Sequence, residues 1–280
     1  MPARRWWSVV ASYVTLTAGA VLFAFPFAYM VVASLQRTKD ATLSGTVPRP
    51  SNMALDNYRA IDQAVDLAGS LLNSFVVTGG VVGCTLLLGS VAGYALAVLR
   101  WRGRGSLFAL VLLVQAVPFQ LLMVPLYVLT VRTFGLADTY LGMILPFAVN
   151  STAVLIFRSY FLQLPPELFH AARIDGASEL RILRSIALPL VRPALLTATL
   201  VTFIGPWNEF LWPFLVTKKQ SMQPLAVALA NYIDNAAATA ANPFGVALAG
   251  AVVLSLPAVA LFVAFQRHFT SADLGSGVKG

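Results

Sequence analysis

The 280 residues are 58% hydrophobic and only 11% charged, whereas a typical soluble domain is about 45–50% apolar and about 25% charged. So few charged side chains cannot cover the surface of a water-soluble fold, and so apolar a chain does not fit a disordered protein. Lys and Arg (19) outnumber Asp and Glu (11). The basic residues stand mainly at the ends of apolar runs, which indicates membrane topology rather than a nucleic-acid-binding face. We therefore predict an integral membrane protein with no nucleic-acid partner.

Six apolar segments are long enough to cross a bilayer, which takes about 20 helical residues. They span roughly residues 9–35, 70–99, 107–130, 140–161, 189–217 and 244–265. The first is longer than the apolar core of a cleavable signal peptide, about 7–15 residues, so it predicts an uncleaved helix. Prolines inside the spans, such as Pro118 and Pro206, are expected to kink packed membrane helices rather than end them. The expected fold is all-α with six transmembrane helices.

An even number of spans places both termini on one side, and the distribution of positive charge predicts which side. With the N-terminus inside, the inner side receives 12 of the 19 Lys and Arg residues. The inner set includes the cluster Arg100, Arg102 and Arg104, while Lys218 and Lys219 on the outer side count against this orientation. We predict cytoplasmic N- and C-termini.

Residue patterns for autonomous chemistry are absent from the sequence. There is no Gly-x-x-x-x-Gly-Lys-Ser/Thr loop for ATP, and two histidines and one cysteine in separate segments do not predict a metal site. An ion-coupled carrier would need ionisable groups inside the bilayer, and only Arg158 and Glu209 qualify. For Arg158, a side chain that extends to the membrane interface is a better interpretation than a coupling role. For Glu209, a place in an interfacial belt of aromatic residues fits as well as a coupling role. An ion-coupled secondary carrier using Glu209 and Arg158 is kept as the alternative function.

The loop at residues 163–188 carries the most informative pattern. Pro165 and Pro166 can begin a helix, and Asp175-Gly176 can end it with a turn. The helix between them would present one small, mostly apolar face, formed by Leu168, Ala171, Ala172 and Ile174. Such a face can enter the groove of another protein or lie on lipid headgroups, and the pattern alone leaves both open.

The same loop reads His-Ala-Ala at 170–172, Asp-Gly-Ala at 175–177 and Ile-x-Leu-Pro at 186–189. In these motifs and their spacing it resembles the EAA loop of ABC importer permeases. Histidine stands where the family has glutamate, so a contact made by that carboxylate is not expected here. The resemblance implies that a coupling helix in this loop meets an ATPase through His170, Ala171, Ala172, Asp175, Gly176 and Ala177.

Four further motifs lie elsewhere in the chain: Leu-Asp-Asn-Tyr at 55–58, Asn-Ser at 73–74, Trp-Asn-Glu-Phe-Leu-Trp-Pro at 207–213 and the tail at 274–280. They are similar to those of carbohydrate-importer permeases of the maltose-permease G type. The resemblance implies a type I ABC importer permease fold, with residues 1–280 forming a single transmembrane domain. It also implies that the tail reaches the ATPase dimer, through Gly275, Gly277, Lys279 and Gly280.

The implied function is that of a non-catalytic permease subunit in an ATP-driven, binding-protein-dependent sugar importer of the cell membrane. The implied partners are a second homologous permease, an ATPase dimer that binds ATP and Mg, and an extracytoplasmic sugar-binding protein. The cargo would be a di- or oligosaccharide, an amino sugar or a related polyol derivative. A non-transporting membrane scaffold is a third possibility, which the motif spacing disfavours.

A sugar path needs amides and aromatic rings, because sugars present hydroxyls and flat C–H faces. Asn208 and Trp212 stand one turn apart and would share a helical face, with Glu209 beside them. Trp207 and Asn150 complete the predicted path. For Gln115, Gln120 and Ser151 we expect hydrogen bonds between helices instead.

Overall fold

The computed structural model describes residues 2–38, 49–235 and 242–273. In these ranges the regular elements are helical, apart from one isolated antiparallel bridge between Gln36 and Met53. The all-α prediction is confirmed for this part of the chain. The predicted ATPase-contacting tail (Gly275, Gly277, Lys279 and Gly280) lies outside the described residues.

Fourteen α-helices follow one another along the described ranges. They are α1 (Pro2–Ser34), α2 (Asp56–Val65), α3 (Leu67–Ala97), α4 (Arg104–Gln115), α5 (Phe119–Tyr127), α6 (Tyr140–Ile144), α7 (Ser151–Phe161), α8 (Pro166–Ile174), α9 (Glu179–Ile182), α10 (Leu188–Leu190), α11 (Arg192–Asn208), α12 (Leu211–Val216), α13 (Leu225–Asn235) and α14 (Pro243–Asp273). A π-helical turn, Val128–Thr133, continues α5, and another, Leu183–Ala187, joins α9 to α10.

Among the described residues, three helices are long and apolar enough to cross a membrane by themselves: Val9–Ser34, Leu67–Ala97 and Pro243–Gln266. Three pairs pass the same test only together. Arg104–Gln115 and Phe119–Thr133 meet at 94°, Tyr140–Phe147 and Ser151–Phe161 at 51°, and Glu179–Leu190 and Arg192–Asn208 at 82°. The count is therefore three spans, or up to six if each bent pair is one span.

The expectation that prolines kink helices rather than end them is wrong at Pro118, whereas Pro26, Pro125, Pro206 and Pro257 lie inside helices as expected. Pro118 precedes the first turn of α5, and α11 has Pro193 in its first turn. A proline there lacks an N–H that could continue the preceding helix, while its fixed φ suits the start of a new one. Asn150 starts α7 in a similar way, because its side-chain Oδ1 accepts a hydrogen bond from the N–H of Ala153.

The described chain divides into two compact units. This division does not test the expectation of one transmembrane domain, which stays a prediction. The terminal unit contains residues 1–68 and 228–280, and the central unit contains residues 69–227. In the terminal unit, α14 packs against both α1 and α2.

Buried amides hold the C-terminal end of α1 in the terminal unit. The Nδ2 of Asn57 donates to the carbonyl of Ser34 at 2.9 Å and to that of Gln36 at 2.7 Å. Asn242 donates to the same Gln36 carbonyl at 2.9 Å. The last carbonyls of a helix have no partner within it. The Leu-Asp-Asn-Tyr motif therefore satisfies, through Asn57, backbone groups that burial would otherwise leave unpaired.

The central unit depends on close contact between α3 and α7. A β-carbon at Gly93 would lie 2.6 Å from Cβ of Phe157 and 2.9 Å from the backbone nitrogen of Arg158. One turn earlier, a β-carbon at Gly89 would lie 3.1 Å from Cβ of Ala153. Small residues four apart let two membrane helices approach closely, so this pair of glycines sets the packing of α7 on α3.

Candidate functional site

The loop predicted to couple with an ATPase folds as a short helix, a tight turn and a second helical segment. The helix α8 begins at Pro166 in its first position, where the missing N–H has no helical partner to lose. Glu167 lies in its first turn and Arg173 in its last. Both charges have the sign that the helix dipole favours at these ends.

Gly176 forms the turn after α8 with a φ of +77°. The N–H of Gly176 donates to the carbonyl of Arg173 at 3.1 Å, and the N–H of Ala177 donates to that of Ala172 at 3.0 Å. These two bonds are the Schellman arrangement, in which a glycine adopts the left-handed conformation just past the helix end. A β-carbon at Gly176 would meet no atom within 4 Å, so the backbone conformation is what favours glycine at this position.

The helix α8 has one face buried in its own unit and one face exposed. Phe169 and Ala172 are 4% and 7% exposed, and Phe169 packs edge-on against Tyr94. Ile174 is 85% exposed and Leu168 39%. The predicted single face of small residues is therefore wrong at Ala172, which is buried with Phe169 in the core cluster.

The other residues predicted for ATPase contact stay accessible. His170, Ala171, Asp175 and Gly176 are exposed, and Ala177 is half-buried. The α8 segment thus presents to its surroundings a stretch that can contact a partner, while its opposite side is packed into a core formed by α3, α7 and α11.

A hydrogen-bonded triad joins α8 and α9 to the span α3. The hydroxyl of Tyr94, near the end of α3, donates to Oε2 of Glu179 at 2.6 Å. Arg173 donates from Nε to Oε1 of Glu179 at 2.7 Å and from Nη2 to Oε2 at 3.3 Å. Two parallel bonds from one guanidinium fix geometry as well as charge. The triad therefore holds both sides of the Gly176 turn against the end of α3.

The two ionic partners stabilise each other's charged forms. Hydrogen bonding from Arg173 lowers the pKa of the Glu179 carboxyl, and the same contact raises the pKa of Arg173. Because the pKa of Glu179 is lowered, the contribution of the pair is complete above the ordinary glutamate pKa of about 4.3 and is lost as the pH falls through the lowered value. The pair is thus fully charged at physiological pH.

Sequence reasoning missed Tyr94 and Glu179. The spacing of Arg173 and Glu179 is not a helical one, and the Gly176 turn is what brings them together. Tyr94 lies 85 residues before Glu179. The one available signal was an acidic residue directly after the serine that caps α9, a position that favours a negative charge.

In the predicted sugar path, the helix α11 ends at Asn208, and Glu209 is extended before α12 begins at Leu211. The prediction that Asn208 and Trp212 share one helical face is therefore wrong. Pro206 and Pro213 flank this break, and Oε1 of Glu209 accepts a hydrogen bond from the backbone N–H of Trp212 at 3.1 Å. That bond satisfies an N–H that the first turn of α12 leaves without a partner.

The two tryptophans of the predicted path are core residues of the central unit. Trp212 is fully buried, and its Nε1 donates to the carbonyl of Gly142 at 3.0 Å. Trp207 is 2% exposed and stacks on Phe203 with ring centroids 5.4 Å apart. Asn208, in contrast, is exposed, and its Nδ2 donates to its own helix at Ile204. Of these three residues, Asn208 alone has a side chain that a sugar could reach.

The remaining polar candidates have local partners. Asn150 caps α7, as described above, and is half-buried. Gln115 donates from Nε2 to Oγ1 of Thr152 at 3.2 Å, which confirms the expected bond between helices for this residue. The guanidinium of Arg158 lies 3.9 Å from the centre of the Phe108 ring, a cation–π distance.

The Asn-Ser motif at 73–74 holds the chain at 221–225. Nδ2 of Asn73 donates to the carbonyls of Ser221 and Gln223 at 2.9 and 3.1 Å. Its Oδ1 accepts from the hydroxyl of Tyr140 at 2.7 Å, and Oγ of Ser74 accepts from the N–H of Leu225 at 2.8 Å. The Asn-Ser motif therefore stabilises the packing of the central unit through buried hydrogen bonds.

Comparison with known proteins gives a consistent set of similarities. Residues 86–272 match the family described as binding-protein-dependent transport system inner membrane component. The arabinooligosaccharides transport system permease protein AraQ of Halalkalibacterium halodurans is 37% identical over 264 residues, covering 93% of each chain. The sn-glycerol-3-phosphate transport system permease protein UgpE of Agrobacterium fabrum is 30% identical over 267 residues, covering 93% of this chain and 94% of its own.

A solved structure shares the fold. It is a chain from the crystal structure of a bacterial ABC transporter involved in the import of the acidic polysaccharide alginate. The match has a TM-score of 0.80 at 23% identity and covers 96% of this chain and 98% of that one.

Proposed function

The chain belongs to the family of binding-protein-dependent transport system inner membrane components, and we propose that its 163–188 segment couples ATP hydrolysis on separate subunits to sugar movement. It is a multi-pass protein of the cell membrane with the all-helical type I ABC permease fold. Its function is that of a sugar ABC importer permease subunit. Subunits of this family are transport proteins rather than enzymes.

The observation that carries the coupling proposal is the two-sided packing of α8. Its inner face, Phe169 and Ala172, is packed into the core, whereas His170, Ala171, Asp175 and Gly176 are exposed and open to a partner. A push on the outer stretch is then carried into α3 through the contacts of Glu179 with Tyr94 and Arg173. A helix packed on one side and exposed on the other can act as a lever between two proteins.

The family implies an ATPase, a binding protein and the membrane as partners. We place ATP and Mg on an ATPase dimer, because this sequence has no phosphate-binding loop. We also propose a second, homologous permease beside this chain, with the sugar path between the two. Histidine at position 170 replaces the usual glutamate of the coupling motif, so ATPase contact there would use an imidazole.

The proposed topology has six spans with both termini in the cytoplasm. It counts the first two bent pairs as one broken span each and begins the fifth span at residue 189, beside the 82° bend between Glu179–Leu190 and Arg192–Asn208. It also follows the excess of Lys and Arg on the inner side. In this arrangement the loop at 163–188 and the cluster Arg100, Arg102 and Arg104 face the ATPase side.

ATP hydrolysis can drive the cycle only if the ATPase contacts α8 differently in its two states. ATPase subunits that close on ATP and open after hydrolysis must bind the α8 segment differently in the two states, since a partner shifts a conformational equilibrium only by its differential affinity. Closure would then move α8, and with it α3 and α7, between inward-open and outward-open arrangements.

The proposed cargo is an oligosaccharide, with an amino sugar or a polyol derivative as related classes. Support comes from the names of the relatives, which include arabinooligosaccharide and sn-glycerol-3-phosphate permeases. Asn208 is the exposed amide available for sugar hydroxyls in the predicted path. Equilibrium binding of a sugar panel to the cognate binding protein tests the class, and tight binding of a non-carbohydrate alone would contradict it.

In the alternative of an ion-coupled carrier, both candidate residues already make local contacts within this chain. Glu209 accepts from the start of α12, and Arg158 lies over Phe108. The test of the proposed function is co-purification of this chain with an ATPase, followed by measurement of ATP hydrolysis with and without sugar-loaded binding protein. We expect hydrolysis to rise with loaded binding protein. A chain that purifies without an ATPase and without stimulated hydrolysis would contradict the proposal.

A further inference from the structure

A cavity of about 820 Å³ lies beside α8, between that helix, the ends of α3 and α7 and the segments that follow them. Three arginines line it, Arg100, Arg104 and Arg173, together with His170. Among the described residues its one acidic lining residue is Glu179, which already pairs with Arg173. Three arginines against one glutamate give this described lining a net charge of +2 when histidine is neutral.

The arginines of this cavity keep hydrogen-bond donors unused by the protein. Arg104 uses Nη1 to donate to the carbonyls of Ala97 and Leu99, at 3.4 and 3.1 Å. Arg173 uses Nε and Nη2 for Glu179. Within the described ranges no hydrogen bond or ion pair involves the guanidinium of Arg100. Because a guanidinium carries five N–H donors, the cavity offers several of them to a ligand rich in oxygen.

The other walls of the cavity are apolar and lie directly after a membrane-spanning helix. They include Leu99, Leu162 and Leu164, and the ring of Trp101 stands beside Arg100. Trp101 donates from Nε1 to the carbonyl of Ala95 and is 41% exposed. An amphipathic tryptophan at the end of a span is typical of the membrane–water interface. The cationic wall suits the phosphate of a lipid headgroup, and the apolar wall suits the first part of the lipid tails.

We propose that this cavity binds the phosphate group of an anionic phospholipid, with Arg100 as the main cationic contact. Basic pockets between membrane helices are known to bind such headgroups. A free phosphate has the same charge but has no apolar part to contact the apolar walls. An acidic side chain of the ATPase offers a carboxylate but, like a free phosphate, leaves the apolar walls without a partner. The proposal needs the 98–104 segment at a membrane surface and does not depend on which sugar is carried.

Arg102 provides a matched control for Arg100. It stands two residues away, is exposed, and does not line the cavity. The complete transporter is purified as wild type, Arg100→Ala and Arg102→Ala, in nanodiscs containing equal amounts of phosphatidylglycerol and phosphatidylcholine. Native mass spectrometry then counts the phospholipids that remain bound after mild release. Sugar-stimulated ATP hydrolysis verifies that each variant is assembled.

We expect wild type and Arg102→Ala to retain phosphatidylglycerol in preference to phosphatidylcholine, and Arg100→Ala to lose about fivefold of that preference, the effect of about one basic residue at an anionic surface. Equal losses in both variants would overturn the site in favour of diffuse attraction, and no preference in wild type would overturn it outright. Displacement by millimolar inorganic phosphate would assign the cavity to a free anion. A preference seen only in permeases stripped of ATPase would assign it to an acidic ATPase side chain.

Discussion

The carboxylate of Glu179 accepts a 2.6 Å hydrogen bond from the hydroxyl of Tyr94, 85 residues earlier in the chain. This contact links the segment after the Gly176 turn to a long membrane helix. Arg173 completes the arrangement from the other side of the turn. We therefore expect a displacement of α8 to reach α3 through these polar contacts and through the packing of Phe169 on Tyr94.

Removal of the Tyr94 hydroxyl should weaken coupling without preventing assembly. A hydrogen bond to a charged acceptor contributes about 1.5–3 kcal/mol when buried, and the half-exposed carboxylate of Glu179 places this one near the lower end. We expect Tyr94→Phe to reduce the ratio of sugar transported to ATP hydrolysed several-fold in proteoliposomes. Glu179→Gln, which also removes the charge opposite Arg173, should reduce it further.

Tyr160→Phe is the matched control for Tyr94→Phe. Tyr160 packs against the same core, and its hydroxyl makes no hydrogen bond within the described part of the chain. Its transport ratio should equal that of the wild type. Equal losses in Tyr94→Phe and Tyr160→Phe would show that ring packing, rather than the bond to Glu179, is what matters.

Substitution at Gly176 should act through the backbone. A leucine in the left-handed conformation is disfavoured by about 1–2 kcal/mol, and the space around this position is open. We expect Gly176→Leu to abolish ATP-driven uptake while the protein still inserts in the membrane. Gly176→Asn, which tolerates positive φ, should keep most of the uptake.

Both uptake and membrane insertion are measured for each Gly176 variant. Normal uptake by Gly176→Leu would refute the coupling assignment. An asparagine variant as inactive as the leucine variant would mean that the ATPase touches this position and needs the missing side chain, rather than the turn geometry.

The glycines of α3 allow a direct test of helix packing. A methyl group at Gly93 would collide with Phe157 and with the backbone of α7, whereas one at Gly83 meets no atom of the chain within 4 Å. We expect Gly93→Ala to lower the midpoint of thermal unfolding in detergent and to reduce the yield of assembled transporter. Gly83→Ala should leave both unchanged. If the two variants behave alike, the close approach of α3 and α7 is not what limits stability.

The exposed amide of Asn208 should matter for transport more than for assembly. Asn208→Ala is expected to raise the sugar concentration needed for half-maximal uptake several-fold, because one hydroxyl contact is lost, while the amount of complex stays constant. Gln115→Ala removes an amide that bonds Thr152 instead, so it should affect the yield of complex and not the transport kinetics. Unchanged transport kinetics in Asn208→Ala would show that Asn208 has a structural role and does not contact the sugar.

Local patterns predicted the elements of this chain better than its contacts. The prolines before α8 and the glycine after it follow rules about single helix ends, and the structure has both features as expected. Composition and length likewise indicated the apolar helices, since both are properties of one segment at a time. The chain's family could also be inferred, because three short motifs keep their spacing.

The bends and the triad could not be predicted because they depend on distant partners. Whether Pro118 kinks a helix or separates two helices at 94° is decided by what satisfies the freed backbone groups. The bond between Tyr94 and Glu179 joins residues that no periodicity connects. For the same reason Trp212, predicted beside a sugar path, proved to be buried with its indole N–H on Gly142.

The most direct test of the central claim is sugar uptake into proteoliposomes containing this chain, its partner permease and the ATPase, with loaded binding protein outside. ATP is enclosed or omitted, and ionophores collapse any ion gradient. We predict uptake that requires enclosed ATP, persists with ionophores, and disappears in Gly176→Leu. Uptake that continues without ATP and stops when the ion gradient collapses would contradict the account.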